Sequence, residues 1–118
     1  MGDIQRNGTT RRYSDSVVHN GIVYLVEVPS NLDEDIVEQT QNLLASLERQ
    51  LVAVGSDKSR ILQATIYLPD MGNYEAMNSV WDKWIPEGHA PVRACIKAEL
   101  ANPKYQIEIS LTAAVISS

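Results

Sequence analysis

A chain of 118 residues has room for one domain, and 44% apolar with 21% charged residues is the composition of a folded globular protein. Ten basic against fifteen acidic side chains, a net charge of -5, disfavour a nucleic-acid binder, which needs a basic stripe to displace counterions. One cysteine excludes an internal disulfide, two histidines leave no zinc-finger spacing, and no run approaches the roughly 20 apolar residues that span a membrane. The opening MGDIQRNGTTRRYSD has no apolar leader, so the chain reads as a cytoplasmic protein with no membrane or nucleic-acid partner.

Residues 1–12 are polar and are expected to be loosely held. From Ser16 to Val28 two β-rich runs flank Asn20-Gly21, the dipeptide that best supplies the positive φ angles of a tight turn, so a hairpin is predicted. Pro29 ends it. Asn31 to Gly55 carries a helix, capped by Asn31 or Asp33 and stopped at Gly55. Its apolar stripe is Ile36, Thr40, Leu43, Leu44, Leu47, Leu51 and Val54. Ile61 to Leu68 reads as a strand whose even positions, Leu62, Ala64, Ile66 and Leu68, meet the core. After the turn at Pro69, Asp70 and Gly72 a second helix runs to about Ile85, with Tyr74, Met77, Trp81 and Trp84 on one side. Val92 to Glu99 and Tyr105 to Val115 are two further strands. The order β-β-α-β-α-β-β specifies a single α+β domain over 1–118, with one mixed sheet and both helices on one face. The other face then needs water-tolerant residues or another subunit.

Alternation sorts the last two strands. Ile107, Ile109, Leu111, Ala113 and Val115 point one way, and Gln106, Glu108, Ser110 and Thr112 the other. In the preceding strand Val92, Ala94, Ile96 and Ala98 share the apolar face, and Arg93, Cys95, Lys97 and Glu99 the polar one. This puts Arg93, Cys95 and Glu108 on one side of the sheet. A guanidinium there offers a planar fork that fits a carboxylate in two parallel hydrogen bonds. The plainer reading is a cross-strand ion pair between Arg93 and Glu108. If Glu99 pairs with Gln106, Arg93 lies opposite Thr112, well away from Glu108. A shared site then needs another register, a bulge, an irregular connection, or two different subunits.

The segment HAPVRACIKAELANPKYQIEISLTAAV resembles the C-terminal signature of the RidA/YjgF family of enamine/imine deaminases, and the chain is most similar to its short YoaB-like branch. The resemblance runs from about Tyr13 to Val115. It includes the phrase SRILQATIYLPDMGNYEAMNSVWDKW and is most specific at Pro91-Val92-Arg93, Cys95 and Ile107-Glu108-Ile109. It implies the chorismate mutase-like homotrimer of that family, with a central barrel and clefts between subunits. It implies cofactor-free hydrolysis of 2-imino acids and 2-aminoacrylate-type enamines to 2-oxo acids and ammonia, as in 2-iminobutanoate/2-iminopropanoate deaminases. In the family pattern the residue at Arg93 grips the substrate carboxylate. Those at Glu108 and Cys95 lie by the attacking water, Tyr13 lines the cleft from a neighbouring subunit, and Asn78 is near the pocket. No metal or organic cofactor is implied.

One stretch departs from the pattern. Where the deaminases carry a Ser-Gly-Gln-type segment, this chain reads Leu25-Val26-Glu27-Val28-Pro29, one residue shorter. A glutamate in the cleft repels a carboxylate substrate or pairs with Arg93. Glu27 therefore keeps a second expectation open, a trimer that binds small carboxylates without turning them over. Cys95 as a nucleophile has no histidine near it in sequence, Trp81 and Trp84 fit a core better than a ligand cage, and Asp33 to Asp35 are a helix start.

Overall fold

The computed structural model describes residues 3–116. Six strands and two helices follow in the order β1 (Gln5–Asn7), β2 (Ser16–His19), β3 (Ile22–Glu27), α1 (Ile36–Ala53), β4 (Ile61–Leu68), α2 (Tyr74–Trp84), β5 (Val92–Lys97) and β6 (Glu108–Ala114). The sheet order is β1-β2-β3-β6-β4-β5, with β4 and β5 parallel and the other neighbours antiparallel. This is the expected α+β arrangement with one mixed sheet and two helices. It gains one strand, because Gln5 to Asn7 pair with β2 and Asn7 Nδ2 donates to Ser16 Oγ at 3.0 Å. The polar start of the chain is thus partly built into the sheet.

The hairpin forms where the turn residues demand it. Asn20 and Gly21 hold φ of 53° and 77°, and His19 pairs with Ile22 directly across them. The α1 cap is one of the corrections to the sequence reading. Asp35, rather than Asn31 or Asp33, accepts from the Glu38 amide at 2.9 Å. The helix ends as expected at Gly55, with φ of 84°. There Ser56 N donates to Leu51 O and Gly55 N to Val52 O, which closes the last carbonyls in a Schellman motif.

The core lies between the helices and one sheet face. Val23 and Leu25 of β3, Ala64, Ile66 and Leu68 of β4, and Ile109, Leu111 and Ala113 of β6 are buried against Leu43, Leu47 and Leu51 of α1 and Met77 of α2. Truncating one such leucine, for example Leu47→Ala, removes its transfer energy and leaves a cavity, a cost of about 2–5 kcal/mol. At the start of β4 the register shifts between Ile61 and Gln63. Ile61 is therefore buried, and Leu62, expected inside, is 46% exposed. Alternation cannot be carried across a bulge.

A buried amide ties the sheet to the helix layer. Gln39 of α1 donates through Nε2 to the carbonyls of Leu32, Glu34 and Lys104, and its Oε1 accepts from Gln106 N. It fixes the connection into β6 against the start of α1. No helix among the described residues is long and apolar enough to cross a membrane.

Candidate active site

The side chains expected to act together fall into two groups on opposite faces of the sheet. Arg93 pairs with Ala64 and Cys95 with Ile66, and both β4 partners are buried against the helices. Arg93 and Cys95 are therefore on the helix side. Glu108 pairs with Tyr67, on the other side, where Ser110 and Thr112 also point. The expected common face is thus corrected, and so is the assumed pairing. β5 lies at the edge beside β4 and does not touch β6, which sits between β3 and β4. Glu108 is two strand spacings from β5 in this chain, about 9 Å before the opposite facing is counted.

The inversion has a physical cause. On β5 the apolar residues face away from the helices, leaving Val92 68% and Ile96 46% exposed. Tyr24 and Val26 of β3 are also exposed, on the same face. The helix side of β5 instead meets Tyr74 and Trp81 of α2 at Arg93, and these two share a stripe with Asn78 at helical spacing. An arginine suits such cover, since its stem packs and its flat head stacks on rings. The Arg93 Cζ is 5.4 Å from the Trp81 ring centroid and 5.9 Å from that of Tyr74. Its Nη2 donates to Tyr74 Oη at 3.3 Å. Among the described residues no carboxylate lies within 4 Å of it, because the ion pairs found are Lys58–Glu48 and Lys104–Asp33.

Two residues along β5, the Cys95 thiol packs against the core edge. Burial pushes its pKa up and the Arg93 charge pulls it back less strongly, so the group stays a thiol at neutral pH. Asn78 presents a buried Oδ1 that has no hydrogen-bond partner. An acceptor left bare in this way lowers stability unless a donor reaches it.

On the open face Glu108 lines a cavity of about 350 Å³ with Tyr67, Ser110, Val26, Glu99 and Leu100. Burial alone raises its carboxyl above the ordinary value. Tyr67 was not singled out from the sequence. Its odd position beside Gln63 and Thr65 is the signal that could have placed it on this face. Another cavity, of about 310 Å³, lies between α1 and α2 beside Lys58, Lys83 and Trp84, away from all the residues above.

Tyr13 is 64% exposed on the loop before β2. β2, the strand this loop leads into, is four strand spacings, about 19 Å, from β5. Glu27 is not in either group. It points to the helix side, where its Oε2 accepts from Ser46 Oγ at 2.6 Å and Gln50 Nε2 at 2.5 Å, and its Oε1 accepts from Val28 N. It is three strand spacings, about 14 Å, from β5 and makes no contact with Arg93 within the chain. The expected conflict between Glu27 and Arg93 is therefore absent inside one subunit.

A model of the family described as Endoribonuclease L-PSP matches residues 4–115. The RutC family protein YoaB of Escherichia coli (strain K12) is 50% identical over 112 residues, covering 95% of this chain and 98% of that protein. The chloroplastic Reactive Intermediate Deaminase A of Arabidopsis thaliana is 28% identical over 109 residues, 85% of this chain and 58% of that protein. A crystal structure of a YjgF family member from Neisseria meningitidis aligns with a TM-score of 0.95 at 47% identity, covering 98% of both chains.

Proposed function

We propose that this chain, which belongs to the endoribonuclease L-PSP (YjgF) family, hydrolyses 2-imino acids and their enamine tautomers to 2-oxo acids and ammonia in the cytoplasm. The relative named as a reactive intermediate deaminase supports the reaction class. The observation that carries the reading is Arg93, a guanidinium braced by aromatic rings with no acidic partner among the described residues. A charge so placed is a carboxylate anchor waiting for its acid.

The site is composite in this proposal. Arg93, Cys95 and Asn78 come from one subunit, and Glu108 and Tyr13 from the next, in a homotrimer whose open sheet faces meet around a central barrel. Two features support it. The open face exposes Tyr24, Val26, Val92 and Ile96, an apolar surface of the kind that marks association. The two groups of site residues also lie on opposite faces of one sheet, with Arg93 and Glu108 on strands that do not pair, so a second copy is the simple way to join them.

The chemistry asks little of the protein. A protonated imine carbon is electrophilic already. Arg93 holds the carboxylate so that the imine carbon meets one oriented water. Glu108, its carboxyl raised by burial, takes a proton from that water and returns one to the departing nitrogen. Water adds across C=N, the C–N bond breaks, and ammonia leaves a 2-oxo acid. No metal or organic cofactor is needed for these steps. The thiol of Cys95, kept protonated, is a cleft wall and hydrogen-bond donor rather than a nucleophile.

The test is semicarbazide trapping of imines made by an amino-acid oxidase. The wild-type protein lowers adduct formation and Arg93→Ala does not. Equal traces for the two overturn the proposal. RNA cleavage, the activity in the family's descriptive name, finds no support in a chain of net charge -5.

A further inference from the structure

We infer that Tyr74 is a positioning residue, whose hydroxyl sets the rotation of the Arg93 guanidinium before the acid arrives. The inference rests on the reading of Arg93 as the carboxylate anchor. An arginine head can turn about several bonds, and a two-point carboxylate contact needs one orientation of its plane. Here two rings of the same α2 stripe border the head, with Cζ 5.9 Å from the Tyr74 centroid and 5.4 Å from that of Trp81. Rings restrict the plane but leave rotation within it. The 3.3 Å bond from Nη2 to Tyr74 Oη supplies the missing restraint.

The chemistry of the acceptor matters as much as its place. A carboxylate at the position of Tyr74 would fix Arg93 and also neutralise it, competing with the substrate. A phenol oxygen accepts one hydrogen bond and leaves the full positive charge for an incoming anion. It occupies one of five N–H donors, so the others remain for a bidentate carboxylate. The geometry thus combines orientation with an unspent charge. Trp81 adds an apolar wall that lowers the local screening of that charge.

The first readout needs no substrate. In the unliganded wild type, nitrogen-15 spectra should show separate Arg93 Nη resonances from slowed rotation, and Tyr74→Phe should merge them. Calorimetric titration with 2-oxobutanoate is the second readout. Tyr74→Phe should weaken binding about 3- to 10-fold, the size of one modest hydrogen bond. KM for the imino acid should rise by the same factor while kcat holds, and melting should be unchanged. In an Arg93→Lys background the added Tyr74→Phe change should cost nothing more, since a compact ammonium has no plane to orient.

Merged Nη resonances in the wild type, or wild-type affinity in Tyr74→Phe, overturn the inference and leave the anchor reading standing. Failure of the wild type to bind 2-oxobutanoate, or equal binding by Arg93→Ala, removes the anchor and the inference with it.

Discussion

β5 and β6 carry the same alternation of apolar and polar side chains, but they turn opposite sets toward the helices. In β6, a strand with neighbours on both sides, Ile109, Leu111 and Ala113 are buried and Glu108 looks out. In β5, at the edge, the apolar Val92 and Ile96 look out, and Arg93 and Cys95 lie under α2. A central strand shows where its own chain's core is. Apolar residues on the uncovered face of an edge strand are the kind of surface that marks association. In the proposed site the polar side chains under α2 mark the place where that edge meets the ligand.

The largest effect expected from this contrast is at Arg93. Arg93→Ala should reduce protection against semicarbazide adducts by about 100-fold, the loss of a charge-assisted two-point contact. A loss under threefold would break the contrast, because β5's polar side would then be only packing. Next comes the apolar side of the same strand. Ile96→Asp puts a charge on the face proposed to be buried between copies. Sedimentation should report the 13.1 kDa chain in place of the proposed trimer. A variant that sediments like the wild type removes the need for cover.

Glu108→Gln should lower turnover by about 100-fold and leave 2-oxobutanoate binding within a few-fold. Its pH behaviour sharpens the point. Burial raises the carboxyl in the folded chain, so folding favours the protonated form. The stability this gives is fully present below the unfolded value of about 4.5 and is lost as pH rises through the raised folded value. Melting of the wild type relative to Glu108→Gln should therefore fall between acid and neutral pH. A constant difference would contradict the burial of Glu108.

Smaller still is Glu27→Ala, which removes the acceptor for Ser46 and Gln50. It should cost about 1–2 kcal/mol in urea unfolding. A loss of 2-oxobutanoate affinity as large as that of Arg93→Ala would instead return Glu27 to the cleft. Cys95→Ser should change turnover the least, under about tenfold, because a protonated thiol is no nucleophile.

Much of the fold is legible in the sequence because local rules decide it. Asn20-Gly21 dictates the hairpin, the leucine stripe dictates the buried side of α1, and the long alternation from Ile107 dictates the facing of β6. What stays hidden depends on partners distant in sequence. Leu62 is turned out by a bulge against β6, and Gln39 is buried because three carbonyls from other segments meet it. The site is half legible for the same reason. Residue type and family resemblance single out Arg93 and Glu108. Their faces are set by which strand takes the edge, and nothing in VRACIK says that β6 passes on the far side of β4.

The central claim is that one cleft draws Arg93 and Glu108 from different copies of the chain. Mixing Arg93→Ala with Glu108→Gln protein, then dissociating and reassembling the subunits, tests it directly. Random hybrids should regain activity in about a quarter of the clefts, those joining an intact Arg93 from one variant to an intact Glu108 from the other. Hybrids as inactive as the separate variants, despite proven exchange of subunits, would contradict the account.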